Sequence, residues 1–333
     1  MIIAGDIGGT KTNVALIETD GQALGSTVVQ KSYPSGKYDS LEAILAEFVA
    51  EHRPPQAVTH ACFGVAGPVA GGRVETPNLA WKVHDAKLAE TLSVERVGLI
   101  NDLEATAYGI EGLKEAQLYT LNEGRGGQSG HRALIAAGTG LGMAGIFWDG
   151  AHYRPMASEG GHADFAPRTD QEVALLSYLQ EKFNGHVSYE RALSGPGLFN
   201  IYSFLRDTGA HEEPGWLAEE IAGGDNKTAA VSQAALAGSA EIAVRALDMF
   251  ASIYGAAAGN LALTFKSVGG LFLGGGIAPK ILEKLKDGSF INAYKDKGRL
   301  SNLVESIPVH VILDDKTALY GAARCALTTG GAA

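Results

Sequence analysis

Two cysteines are all that the 333 residues hold, Cys62 in the apolar run HACFGVAG and Cys325 in the helical pattern ALYGAARCAL. Their scarcity excludes a disulfide framework and a cysteine zinc site, and each thiol reads as a small buried residue. Positive charge is also short: 27 Lys and Arg stand against 37 Asp and Glu, a formal charge of -10. Nucleic acid and anionic membrane surfaces call for clustered cations, so neither is expected as a partner. Any phosphate must be held locally, by backbone N–H groups, a few cations or Mg²⁺. No run reaches the roughly 18 apolar residues of a membrane span, and MIIAGD lacks the basic segment of a signal peptide. A soluble cytoplasmic protein is the expectation.

What the chain has instead is apolar content, 46%, and 44 glycines. The length suits about two domains of roughly 150 residues each. After IIAG, the alternating run TNVALIET, the turn pair Asp20-Gly21 and the stretch STVVQKSY predict a β-meander over residues 2–33. DSLEAILAEFVAEH follows as a helix with Leu41, Ile44, Leu45, Phe48 and Val49 on one face and Asp39 or Ser40 as cap. AVTHACFGVAG and VERVGLINDLEATAYGI supply two strands, the second running into a helix after Asn101-Asp102, so part of the sheet is parallel. The opening grammar returns at ALIAAGTGLGMAGIFWDGAHY: strand, glycine turn, strand, Asp-Gly turn. Two copies about 130 residues apart suggest a duplicated domain, although each alone reads equally well as an ordinary hairpin that needs Gly for positive φ. Residues 171–263 are expected to be mostly helical. SVGGLFLGGGIAPKILEKL is a strand ending in three glycines with a helix starting near Pro279, and IPVHVILDDKTALYGAARCAL is a last strand and helix.

GDIGGTKT, residues 5–12, misses the P-loop pattern G-x-x-x-x-G-K-[ST] because Thr10 stands where the second Gly belongs. A P-loop turn opens a helix; a strand follows this one, so it reads as the turn of a hairpin. Gly8 and Gly9 leave their N–H groups open to phosphate oxygens. Asp6 beside such a cradle either faces Mg²⁺, directly or through water, or organises the turn. Asn101-Asp102, at the carboxyl end of an apolar strand, is either a helix N-cap or a ligand site with Asp102 as a proton acceptor. Glu159 and His162 in ASEGGHADFAP and Glu190 in HVSYERALSGPG could chelate adjacent hydroxyls of a sugar. A third metal ligand at a convincing spacing is missing, His152 and His186 look incidental, and His162 alone would read as a structural histidine.

The ordered set GDIGGTKT, LINDLEA, AAGTGLG, EGGHADF, HVSYERALSGPG and FLGGGIAPK resembles the bacterial glucokinase family, actin-like sugar kinases related to hexokinase, over nearly the whole chain. EGGHADF and HVSYERALSGPG are its specific parts. The resemblance implies an α/β, two-domain actin-like (ribonuclease H-like) fold, with a small domain of residues 1–108 plus 314–333, a large domain of residues 109–313, and the active site in the interdomain cleft. It implies Asp102 as catalytic base, and Asn78, Asn101, Glu159, His162 and Glu190 as glucose ligands. Gly5, Asp6, Ile7, Gly8, Gly9, Thr10 and Lys11 match the first phosphate loop, Gly138, Thr139 and Gly140 the second, and Gly274, Gly275 and Gly276 the adenosine side. ATP and Mg²⁺, the latter at Asp6, are the implied cofactors, and a homodimer is the family expectation. Lys11 departs from the Asn of many members toward the GGTK of the neighbouring ROK kinases, whose cysteine zinc cluster this chain lacks. The expected activity is ATP-dependent phosphorylation of the C6 hydroxyl of glucose at the opening of glycolysis. The alternatives are a kinase of another hexose, mannose or an amino sugar, and a non-catalytic sugar-sensing regulator. A Rossmann dehydrogenase is disfavoured because no G-x-G-x-x-G opens the first helix.

Overall fold

A computed structural model describes residues 1–76, 79–224 and 226–329. Asn78, expected on the sugar side, lies outside the described residues. The chain divides into two compact units: unit 1 takes Met1–Gln117, Tyr153–Ala157 and the residues from Asp314 on, and unit 2 takes Leu118–His152 and Ser158–Leu313.

Unit 1 begins with the expected meander, β1 (Ile2–Ile7), β2 (Lys11–Thr19) and β3 (Leu24–Pro34), antiparallel throughout. Helix α1 (Leu41–His52) starts where the Ser40 hydroxyl accepts the N–H of Ala43 at 3.2 Å, and it ends at Arg53, whose φ of 40° breaks the helical path. Leu41, Ile44, Leu45 and Phe48 are buried on one face, as their spacing requires, and Val49 packs partly buried beside them. Next come β4 (His60–Val65), the small hairpin β5 (Arg73–Glu75) and β6 (Lys82–His84), α2 (Asp85–Leu92), β7 (Val97–Asn101) and α3 (Asp102–Gly109). The sheet order is β3-β2-β1-β4-β7, with β1, β4 and β7 mutually parallel. Register places Ile7 beside Val65 and Val65 beside Asn101, so three strands end in one row. Cys62 and Cys325 are both fully buried on the α3 side of this sheet, in the expected structural role.

Unit 2 repeats the plan. After β8 (Leu118–Asn122) come β9 (Arg132–Ala137) and β10 (Leu141–Trp148), an antiparallel hairpin across Gly138–Gly140, and then β11 (Tyr153–Ser158), most of which belongs with unit 1. Helices α4 (Asp170–Phe183), α5 (Gly195–Asp207), α6 (Gly215–Gly223), α7 (Lys227–Leu236) and α8 (Glu241–Phe265) follow, as the sequence predicts. The remainder is β12 (Leu271–Gly274), α9 (Leu282–Leu285), α10 (Ser289–Lys295), α11 (Ser301–Glu305), β13 (Val309–Ile312) and α12 (Thr317–Thr329), the last belonging to unit 1. Strands run β10-β9-β12-β13-β8, with β9, β12 and β13 parallel. In both units, then, the strand before the glycine turn pairs with its hairpin partner on one side and a parallel strand on the other.

Two details depart from the sequence reading. The helix expected near Pro279 begins at Leu282; Gly275 takes a φ of 78°, and the N–H groups of Lys280 and Ile281 both bond back to the Ile277 carbonyl, closing a turn first. And α8, 25 residues long, carries one window apolar enough to cross a membrane, where none was expected; 78% of that window is buried, because α8 is the core helix of unit 2.

Candidate functional site

In unit 1 the first glycine turn is closed by the Gly8 N–H on the Lys11 carbonyl at 2.9 Å. The Ser35 hydroxyl, from the end of β3, donates to the Gly8 carbonyl at 2.8 Å and shares a 3.0 Å bond with the Thr12 hydroxyl; both side chains are fully buried. Thr10 and Lys11 stay exposed at the tip. Asp6 sits near the carboxyl end of β1, where Asn13 Nδ2 approaches its Oδ2 at 3.4 Å. Burial pushes its carboxyl up from 3.8 to about 6; the Asn13 amide pulls the other way, and the charges of Asp102 and Asp315 push further upward.

Asn101 caps α3: its Oδ1 accepts the N–H of Leu103 at 2.8 Å, and its Nδ2 donates to the Gly67 carbonyl at 3.1 Å. The Asp102 carboxylate shares the same Leu103 N–H at 2.9 Å. Capping, the plainer of the two sequence readings, is therefore realised for Asn101, and negative charge at this helix end is favoured by the N–H groups there. The close seat of α3 on β4 depends on Gly64, where a Cβ would stand 2.7 Å from Ala105 Cβ and 3.7 Å from Asp102 Cα. Since Gly64 pairs with Asp6 across β1 and β4, the two acidic residues are neighbours across the sheet end.

In unit 2 the second turn is closed by the Gly138 N–H on the Gly140 carbonyl at 2.9 Å. The Gly138 carbonyl accepts from Gly195 N–H at 2.8 Å, and Leu141 N–H donates to Glu190 Oε2 at 2.9 Å. Ser194 caps α5 and donates to the Glu190 carbonyl at 2.8 Å. The segment carrying Glu159 and His162 lies against the start of β10, since Gly161 approaches the Leu141 carbonyl too closely for any side chain. It is tied to the Glu190 segment by Phe165 N–H on Val187 and Tyr189 N–H on Ala163, both at 2.9 Å, and by His186 Nε2 2.8 Å from Asp164 Oδ1. Glu159 and His162 are exposed, and Glu190 is half-buried. The Gly274–Gly276 turn joins the same group through Ile277 N–H on the Ala137 carbonyl at 3.2 Å.

Each unit thus gathers its own share. Unit 1 brings together Asp6, the first turn, Asn101 and Asp102; unit 2 brings together the second turn, the triple-glycine turn, Glu159, His162 and Glu190. Sequence reasoning missed Asn13, Ser35, Asp315, Ser194 and Thr228, whose hydroxyl donates to the Gly195 carbonyl at 2.8 Å. Only Ser194 carried a local signal, the cap-like Ser-Gly-Pro-Gly. His186, given no role in the sequence, serves as a clip. Among the described residues no three His, Cys, Asp or Glu side chains form a metal cage. The donor set at Asp6 does fit Mg²⁺, which keeps most of its waters and needs one or two carboxylates plus phosphate; a half-buried carboxylate pressed by two further acids is where a cation gains most.

The sequence profile of the family described as Glucokinase matches residues 3–329. A curated glucokinase of Trichormus variabilis is 41% identical over 337 residues, 98% of each chain. The crystal structure of a glucokinase from an Antarctic psychrotroph superposes with a TM-score of 0.86 at 29% identity, covering 98% of both chains. A ROK family glucokinase from Streptomyces griseus, solved with glucose and AMPPNP, shares the fold with a TM-score of 0.61 at 22% identity, over 98% of this chain and 99% of that one.

Proposed function

The chain belongs to the glucokinase family, and from that premise we propose that it is an ATP-dependent glucokinase transferring the γ-phosphoryl group of ATP to the C6 hydroxyl of glucose. The observation that carries the reading is Asp102 at the start of α3, in the row where three strands of unit 1 end. That carboxylate takes the proton of the C6 hydroxyl as its oxygen attacks phosphorus in line. Asn101 holds the neighbouring position through its cap and its bond to the Gly67 carbonyl. Glu159, His162 and Glu190 orient the ring through its other hydroxyls, a role supported by the backbone bonds that tie the two segments of unit 2 carrying them; Asn78 is a further sugar ligand on this reading.

Phosphate oxygens are received by two bare hairpin turns, Gly8–Thr10 and Gly138–Gly140, with Gly274–Gly276 on the adenosine side. The Gly8 and Gly138 N–H groups are taken up in closing the turns, so it is the other N–H groups of the two turns, fixed before the reaction, that stabilise charge as it moves without reorganising. Asp6 would hold Mg²⁺, directly or through water, and the ion would neutralise phosphate charge there. Lys11, exposed at the tip of the first turn, adds a positive charge on the donor side. The family resemblance extends the proposal to a cytoplasmic homodimer working at the opening step of glycolysis.

Coupled measurement of ADP formation tests the assignment. Glucose-dependent ADP is expected from the native chain, and Asp102→Asn should lower kcat by about 10²- to 10⁴-fold while leaving the fold intact by circular dichroism. Equal rates in the two chains would remove Asp102 from the base role, and no glucose-dependent ADP from the native chain would remove the function.

A further inference from the structure

The second glycine turn has been assigned above to phosphate, yet one of its glycines is in contact with the sugar side. A Cβ placed on Gly140 would stand 2.6 Å from Glu190 Oε2 and 3.5 Å from Glu190 Cδ. That same oxygen accepts the N–H of Leu141, the next residue along, at 2.9 Å. The turn backbone therefore offers the carboxylate a donor at Leu141 and the room to reach it at Gly140. The Glu190 main chain is fixed independently, through the Ser194 hydroxyl on its carbonyl.

We infer that Gly140 is a positioning residue for the sugar: its missing side chain is the space in which the Glu190 carboxylate is held, so the turn that faces phosphate also sets the geometry of a glucose ligand. The inference rests on the proposed role of Glu190 as a glucose ligand and goes beyond it by assigning a residue of the phosphate turn to acceptor affinity. Gly140 does not adopt a positive φ, so alanine meets no backbone strain there. The atom in its way is the far end of a flexible side chain and can move aside. A methyl group at Gly140 should thus leave the fold standing and displace the one group that matters to the sugar. Gly161 is the opposite case, because its neighbour at 1.9 Å is the backbone carbonyl of Leu141.

The test is Gly140→Ala, alone and in a Glu190→Asp background, with KM measured separately for glucose and ATP and melting temperature as the control for folding. For Gly140→Ala alone the expected result is a KM for glucose raised about tenfold or more, the size of one lost charge-assisted hydrogen bond, with any rise in the KM for ATP several-fold smaller than that for glucose and the melting temperature nearly constant. In the Glu190→Asp background the shorter side chain no longer fills the space, and Gly140→Ala should add less than about twofold. A rise borne by ATP with glucose unchanged overturns the inference, as does the same factor for glucose in both backgrounds. So does a Gly140→Ala chain that fails to fold, since only a movable carboxylate is held to stand in the way. If the native chain turns over no glucose, the proposed function fails first; calorimetric titration with glucose then decides, and equal affinity in the native and Gly140→Ala chains, zero included, overturns the inference.

Discussion

The two glycine turns share a plan and differ in what holds them. The first, in unit 1, is pinned by the Ser35 hydroxyl on the Gly8 carbonyl and Thr12 on Ser35, and carries a half-buried carboxylate, Asp6, two residues before Gly8. The second, in unit 2, is pinned from outside its hairpin, by Gly195 N–H on the Gly138 carbonyl and by Glu190 on Leu141 N–H, about 50 residues downstream. One turn is thus built around a charge that burial disfavours, the other around a bond to the ligand-bearing segment. The two turns share a backbone plan, and the residues around each decide which partner it answers to.

The largest expected effect breaks the first turn's charge. Folding raises the Asp6 pKa from 3.8 to about 6, so the folded state favours the protonated carboxyl: its contribution to stability is full below pH 3.8 and is lost as pH rises through about 6. Two pKa units correspond to about 3 kcal/mol. Asp6→Asn, which removes the charge, should therefore stabilise the ligand-free protein by up to about 3 kcal/mol at pH 8, and the advantage should vanish as pH falls from 6 toward 4. Phosphoryl transfer should drop at the same time, roughly 10- to 100-fold. Melting curves of both chains at pH 8, 6 and 4 check the sign; an Asp6→Asn chain less stable than native at pH 8 would contradict it.

A smaller effect sharpens the contrast on the other side. Gly161→Ala drives a Cβ into the Leu141 carbonyl, 1.9 Å away, and the backbone must shift; overpacking of this kind costs about 1–3 kcal/mol. Urea denaturation should show that loss for Gly161→Ala and almost none for Gly140→Ala. The same midpoint for both would mean that the β10 start yields to either methyl group and that the distinction between backbone and side-chain neighbours does not hold there.

Much of this was legible in the chain. Alternation in TNVALIET and the strand, glycine turn, strand order of ALIAAGTGLGMAGIF identified the two hairpins, and the α1 face followed from the spacing of Leu41, Ile44, Leu45 and Phe48. Local chemistry was legible because its cause is local: period, cap and turn residues lie within a few positions of one another. Ser35 and Gly140 were not legible in their actual roles, because the first acts across 27 residues on the Gly8 carbonyl and the second across 50 on Glu190. The helix start near Pro279 was misplaced for a related reason. Proline suits a first helical turn, but the carbonyl of Ile277 had already taken the N–H groups of Lys280 and Ile281. The clustering of Glu159, His162 and Glu190 could be suspected from residue types, whereas the backbone bonds that tie their two segments depend on pairing between residues more than 20 apart.

The smallest effect tests whether hydroxyls or packing hold the first turn. Ser35 has one proton, and it goes to the Gly8 carbonyl; the Thr12 hydroxyl must then donate to Ser35 Oγ. Ser35→Ala strands two groups at once, the half-buried Gly8 carbonyl and the buried Thr12 hydroxyl, and should cost about 1–3 kcal/mol. Thr12→Val removes the donor to Ser35 Oγ but leaves the Ser35 bond to Gly8 in place, so its cost should stay below about 1.5 kcal/mol. In the double variant the Thr12 hydroxyl is gone, so only the Gly8 carbonyl is left wanting. The double should therefore cost less than the two singles added together, by about 0.5–1.5 kcal/mol. A strictly additive result in urea denaturation would mean that the hydroxyl pair contributes no coupling and that backbone bonds such as Gly8 N–H on the Lys11 carbonyl hold the turn. In that case the difference between the turns would reduce to Asp6, with its half-buried charge, on one side and Glu190, with its borrowed N–H, on the other.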